Sequence, residues 1–285
     1  MPHKFSAIKT RLAPTPSGYL HAGNALNFLL TAALAKKYNA NLLLRIDDLD
    51  RERYRTGYAQ DVFDALRFLN IYWTEGPKDV SDFEERWSQQ QRMDLYEGAL
   101  NRLSEAGAVF ACTCSRTEAN ECNCLLQQLP LNTPNASWRM ITTDESITVQ
   151  TLTGNAIASS LPPEMKNFIV RKKDGLPAYQ LASVVDDLHF GIDFIVRGED
   201  LWPSTLAQQF LAKKLGEERF SSIAFYHHPL LTKSSGEKLS KSADDISIKH
   251  WRESGKSLPQ FLAFIKELLL VNHQSENLIA LLTEL

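Results

Sequence analysis

The sequence has no long apolar run. Its longest candidate, Ala25 to Ala35, is interrupted by Asn27 and Thr31 and ends against Lys36-Lys37, short of the ~20 apolar residues a membrane-spanning helix needs. The opening MPHKFSAIKTR lacks the apolar middle of a secretory signal, so a cytoplasmic location is expected. Nor is one sign of charge in excess. The chain has 31 Lys+Arg against 34 Asp+Glu, a net of −3, which neither requires nor excludes a nucleic-acid partner. Thirteen Gly and twelve Pro are scattered through 285 residues, which excludes a collagen-like or low-complexity chain. Cysteine is scarce: there are four, all between positions 112 and 124. With 44% apolar and 23% charged residues, the chain can bury a sizeable core as one large domain or one carrying an insertion.

What is there is ordered like an α/β protein. Ala7 to Ala13 reads as a strand stopped by Pro14 and Pro16, neither of which can donate a ladder hydrogen bond. Gly18 and Gly23 mark a turn, and a nearly all-round apolar helix runs from about Asn24 to Tyr38. Leu42 to Ile46 reads as a second strand and Thr56 to Leu69 as a second helix. That order opens a doubly wound parallel sheet. Arg86 to Ala106 reads as one further helix. Beyond it, Val184-Val185 and Ile192 to Val196 read as buried strands, with a tight turn at Asp174-Gly175. Ser204 is expected to cap a helix ending near Leu215, and the tail from about Asp244 to be helical. The expected division is 1–108 and 167–243 as two halves of a catalytic domain, 109–166 as an inserted subdomain, and 244–285 as a helical tail.

Two stretches carry chemistry. In Arg11-Leu-Ala-Pro-Thr-Pro-Ser-Gly-Tyr-Leu-His21-Ala-Gly23-Asn24, a strand end feeds a glycine turn and then a helix N-terminus, whose N–H groups suit phosphate. His21 would donate to phosphate oxygens, and Gly23 would let a ligand approach the backbone. Arg11, Ala13 and Thr15 share one side of an extended chain. Taken alone, His-x-Gly reads equally as a plain strand–helix connection. In Lys238-Leu239-Ser240-Lys241-Ser242, two lysines three apart form a cationic arm, or an ordinary solvated loop.

Together the two stretches resemble the nucleotide-binding motifs of class I aminoacyl-tRNA synthetases. RLAPTPSGYLHAGN, LLRIDDLDRER, GLPAYQLASVVDD, GIDFIVRGEDL and HHPLLTKSSGEKLSKS are similar to catalytic-domain motifs of the glutamyl branch, in family order, over roughly 7–106 and 167–242. The resemblance implies a Rossmann-like sheet split by an acceptor-type insertion, and binding of ATP with Mg²⁺ and of glutamate. It implies an aminoacyl-adenylate formed by attack of the substrate carboxylate on the α-phosphate. His21, Lys238 and Lys241 would stabilise the leaving pyrophosphate. Gly23, Asn24, Leu230, Leu231 and Ser240 would join them around ATP, with Leu230-Leu231 meeting the adenine. Arg11, Ala13, Thr15, Asp47, Tyr179 and Arg197 would hold the amino acid, Arg197 pairing with its side-chain carboxylate. Asp47 departs from the family, which usually carries Glu there; the shorter side chain draws the charge back by one methylene.

The cysteines form Cys112-x-Cys114-x7-Cys122-x-Cys124. Four thiols in thirteen residues read better as a structural zinc site than as disulfides. Only 43 residues follow Ser242 (285 − 242), leaving no room for the helical anticodon-reading region of a full glutamyl-tRNA synthetase. The expected subtype is therefore the glutamyl-queuosine tRNA(Asp) synthetases, which attach glutamate to the queuosine base in the anticodon stem-loop of tRNA(Asp). A monomer is expected. Two alternatives stay open: a glutamate-adenylating ligase serving a tRNA 3′ end, a protein or a small-molecule amine, and a non-catalytic binding module.

Overall fold

The computed structural model describes residues 8–115, 118, 122–231, 247–271 and 276–283. In chain order its elements begin with β1 (Lys9–Leu12), α1 (Ala22–Lys37), β2 (Asn41–Leu44), α2 (Thr56–Phe68), α3 (Met93–Glu105) and β3 (Val109–Cys112). Next come β4 (Ser137–Met140), β5 (Ile147–Thr151), β6 (Ala156–Ser159), β7 (Ile169–Arg171), α4 (Tyr179–His189) and β8 (Phe194–Gly198). Last are α5 (Trp202–Lys214), β9 (Ala224–His228), α6 (Ile248–Glu253), α7 (Leu258–Val271) and α8 (Glu276–Thr283). Among the described residues, no helix is long and apolar enough to cross a membrane.

The chain divides into two compact units, one of residues 1–91, 192–200 and 226–285 and the other of 92–191 and 201–225. In the first, β1 and β2 pair in parallel from Lys9↔Asn41 to Leu12↔Leu44. Each strand is buried after its first residue, β2 through three leucines and β1 through Thr10, Arg11 and Leu12, as a sheet covered on two faces requires. β8 runs beside β1: the Asp193 N–H donates to the Lys9 carbonyl (2.8 Å) and Thr10 Oγ1 donates to the Phe194 carbonyl (2.8 Å). α1 buries Leu26, Leu29 and Leu30 almost completely, each worth roughly 1.5–3 kcal/mol of transfer free energy. Tertiary burial, rather than an amphipathic stripe, therefore holds it.

In the second unit β3, β4 and β7 form a three-stranded antiparallel sheet, and β5 pairs antiparallel with β6 and parallel with the start of β9. A buried Arg92 clamps Asp186 of α4 (Nε–Oδ1 2.9 Å), and the Tyr96 hydroxyl donates to the same oxygen (2.8 Å). That carboxylate is satisfied by a charged and a neutral donor, as a fully buried charge needs.

Three local expectations change. Arg86 to Ala106 is not one helix: a π-helical turn (Phe83–Trp87) ends at extended Ser88, a 3₁₀ turn follows, and α3 starts at Met93. The break lets Ser88 Oγ (2.6 Å) and the Gln89 N–H (2.8 Å) both donate to the buried Asp48 carboxylate. Val184-Val185 is helical, inside α4, where burial at Leu181, Val184 and Asp187 follows helical spacing and overrides β-propensity. Ser204 lies inside α5, which starts at Trp202 with Pro203 in its first turn, and its hydroxyl accepts from Gln180 Nε2 (3.1 Å).

Candidate active site

In the first unit the expected site residues lie at or just beyond the carboxyl ends of strands, where open α/β sheets hold ligands. The β1–β2 pairing continues past the strands: the Arg45 N–H donates to Leu12 O and the Asp47 N–H to Pro14 O, both 2.9 Å. This extended run buries Leu12, Pro14 and Pro16 and leaves Ala13 half-buried and Thr15 exposed. Arg11 is itself buried. Asp47 thus lies across from the Ala13–Thr15 stretch.

His21 is the N-cap of α1. Its Nδ1 accepts the Gly23 N–H (3.1 Å), while Asn24 Oδ1 accepts the His21 N–H (3.1 Å). The two bonds satisfy helix-end donors reciprocally, in the manner of a capping box. A Cβ at position 23 would stand 3.0 Å from His21 Cε1. Gly23 is therefore what lets the imidazole fold back over the helix end. With Nδ1 accepting, a neutral ring carries its proton on Nε2.

Arg197 ends the apolar part of β8 and is 3% exposed. Burial, with the positive charge of Arg197 and the His228 imidazole beside it, lowers the nearby His227 imidazole to about 4. At Gly198 an added Cβ would come within 2.6 Å of Asp200 Oδ1 and 3.0 Å of Leu230 Cδ2. The missing side chain lets Leu230 close on the strand end. Leu231 beyond it is buried.

Some supporting groups go unmarked in the sequence analysis. Arg45 grips Asp47 through Nε–Oδ1 (2.7 Å) and Nη2–Oδ2 (3.0 Å). Their two-residue spacing in an extended chain puts them on one side, a signal that was there to be read. Asn27, an amide inside the apolar helix, donates from Nδ2 to Val196 O (3.2 Å) and lies 3.1 Å from His228 Nε2. Because Nδ2 can only donate, His228 Nε2 accepts and Nδ1 carries the proton, toward Pro229 O (2.8 Å). Asn27 so ties α1 to the residue before Arg197 and to the end of β9.

Lys238, Ser240 and Lys241 lie outside the described residues. Tyr179 belongs to the second unit, where it opens α4 half-exposed. In the same unit the Sγ atoms of Cys112, Cys114, Cys122 and Cys124 all fall within 4.8 Å of one another. Cys112–Cys122 and Cys114–Cys124 are each separated by 3.5 Å, too far for disulfides. A tetrahedral thiolate zinc site, with bonds of about 2.3 Å, needs sulfurs about this far apart, so the set fits the ion. Shared hydrogen bonds with Cys124 and Cys122 push the Cys114 thiol up to about 12. Cys124, raised by burial, is drawn down further by the Thr113 backbone and its neighbours, to about 7.

The sequence matches the family model of class I tRNA synthetases (E and Q), catalytic domain, over residues 7–145 and 132–283. The chain belongs to that family. A glutamyl-Q tRNA(Asp) synthetase of Synechococcus sp. is 35% identical over 259 residues, covering 86% of this chain and 77% of the relative. A glutamate–tRNA ligase of Protochlamydia amoebophila is 30% identical over 280 residues, covering 91% of this chain and 55% of the relative. The chain thus spans little more than half the length of that synthetase relative. A crystal structure of a glutamate tRNA ligase from Elizabethkingia meningosepticum superposes with a TM-score of 0.68 at 22% identity, covering 84% of this chain and 53% of that one. It supports the Rossmann-like synthetase fold.

Proposed function

We propose that this synthetase-family chain activates glutamate with ATP and transfers it to the queuosine base of tRNA(Asp). The substrate carboxylate attacks the α-phosphate, the bond to the β-phosphate oxygen breaks, and glutamyl-adenylate and pyrophosphate form. Negative charge moves to the leaving pyrophosphate, so donors aimed there act chiefly in the transition state. The observation that carries the reading is His21, held over the α1 N-terminus by its Nδ1 bond to Gly23, which in a neutral ring leaves Nε2 as the donor. Asn24 braces the same cap. Lys238 and Lys241 would add positive charge, with Ser240 beside them and Mg²⁺ bound to the phosphates.

Arg11, Ala13, Thr15 and Asp47 would surround glutamate, and Arg197 would pair with its side-chain carboxylate. Asp47, gripped by Arg45, would place a negative charge beside the substrate ammonium. Leu230 and Leu231 would line the adenine. The four cysteines would hold Zn²⁺, closing a polar insertion that has little core of its own.

The 35% identity to a glutamyl-Q tRNA(Asp) synthetase, over most of that relative's length, supports queuosine as acceptor. The 30% identity to a glutamate–tRNA ligase favours a second reading, in which a tRNA 3′ end is the acceptor. Pyrophosphate exchange without tRNA should proceed with glutamate and not with glutamine or aspartate. Labelled glutamate should then pass to queuosine-containing tRNA(Asp) and not to queuosine-free tRNA(Asp) or to tRNA(Glu). Exchange silent with all three amino acids would leave a non-catalytic binding module, and transfer to tRNA(Glu) would favour the second reading.

A further inference from the structure

Leu20, the residue before His21, is held from both sides by groups remote in sequence. Its N–H donates to Asp61 Oδ2 of α2 (3.3 Å), and its carbonyl accepts the Ile248 N–H of α6 (2.8 Å). His21 and Ser247 form an antiparallel bridge. Lys249 Nζ donates to the Tyr19 hydroxyl (3.0 Å). The other Asp61 oxygen pairs with Arg252 Nη2, and Arg252 Nη1 lies 3.7 Å from Asp64. Asp61 and Asp64, three apart, share one face of α2. Asp61 is 3% exposed, and burial lifts its carboxyl above the usual range against the pull of Leu20 and Arg252.

One buried carboxylate therefore ties the approach to His21 to a helix that begins seven residues after Lys241 (248 − 241). We propose that Asp61 and Arg252 are positioning residues for the activation step, fixing the start of α6 against the residue that sets His21. Neither touches substrate. Their effect passes through Leu20 and Ile248. The inference rests on the activation chemistry proposed above and adds to it two residues outside both motifs.

The experiment compares wild type with Arg252→Met, Arg252→Lys and Asp61→Asn by pyrophosphate exchange, thermal melting and hydrogen exchange at the Leu20 and Ile248 amides. In Arg252→Met, kcat should fall about tenfold with the KM values for ATP and glutamate within about twofold, since only transition-state alignment is lost. Arg252→Lys should restore most of the loss, and the melting midpoint should stay close to wild type. Asp61→Asn, which keeps an acceptor for Leu20 but loses the charge, should behave like Arg252→Met. An unchanged kcat overturns the proposal, as does a kcat loss that tracks a fall in melting midpoint. Wild type inactive with every amino acid would sink the functional reading instead, and the amides then decide. Faster exchange at both Leu20 and Ile248 in Arg252→Met upholds the tie; faster exchange at Ile248 alone overturns it.

Discussion

The two compact units build their polar sites by opposite means. In the first, Arg11, Arg45 and Arg197 stand on or beside strands that are largely buried, and His21 caps a helix buried on nearly every side. The core fixes the backbone, and a few long-range bonds from Asn27, Asp61 and Ile248 fix what projects from it. In the second unit, the cysteines sit in a small cluster of Phe110, Cys112 and Cys124, with Leu129 and Ile141 packed against it. One site inherits its rigidity from packing; the other, with the zinc proposed above, would take it from ligand closure. The two should therefore fail under different insults.

The sharpest separation is at His21, where cap and chemistry share one ring. His21→Ala should lower kcat for pyrophosphate exchange by about 10²–10³-fold, the range for loss of a single transition-state donor. It should cost only about 1 kcal/mol of stability from the lost cap. His21→Asn, a good N-cap, should recover the stability and not the rate. Recovery of both would show that the histidine is only a cap. Next in size, Arg197→Gln should raise the glutamate KM by roughly 100-fold, the scale of a lost bidentate charge-assisted pair. Exchange kinetics with glutamate and glutamine check it, and unchanged discrimination would move the specificity group elsewhere.

How much of this could be read from the chain follows the same division. β1, α1, β2 and α2 lie within a few residues of expectation because their signals are local: prolines past β1, leucines around α1, lysines at its end. In the sequence His21 and Gly23 together mark a ligand's approach to the backbone; the steric cause of their spacing, the 3.0 Å approach of a Cβ at position 23 to the imidazole, was not legible. Nor were Asp61 and Arg252, since 191 residues separate them and either reads alone as a solvated helical charge. The break at Ser88 was hidden for the same reason, its cause being Asp48, forty residues upstream. Val184-Val185 misled because a β-branched pair is a weak local preference against the helical burial of its neighbours.

In the second unit the matching insult is chelation. Stripping metal from the purified protein should release about one zinc per chain, expose four titratable thiols, and lower the melting midpoint by about 5 °C. Glutamate-dependent exchange should change less than about twofold, because the residues assigned to activation, Tyr179 apart, belong to the other unit. Cys112→Ser should reproduce the effect without chelator. No zinc, with four free thiols, would retire the metal. Exchange lost in step with zinc would erase the contrast between the units.

The smallest expected effect is acid sensitivity in the first unit. His227 is held at about 4, against an ordinary 6.5, by burial and by the positive charge of Arg197. Its folded value is depressed, so the unfolded chain takes up a proton first as pH falls. The stability tied to the neutral ring is complete above about 6.5 and drains away as pH drops through about 4. His228, also lowered by burial, acts in the same direction, so removing one ring flattens the slope only in part. His227→Gln should make the melting midpoint less dependent on pH between 6.5 and 4, by about 3 °C across that window. The series is best run on metal-stripped protein, where proton-driven loss of zinc from thiolates cannot contribute. Equal slopes for variant and wild type would show that His227 takes up its proton without strain, and that the charge of Arg197 is already answered in the folded protein.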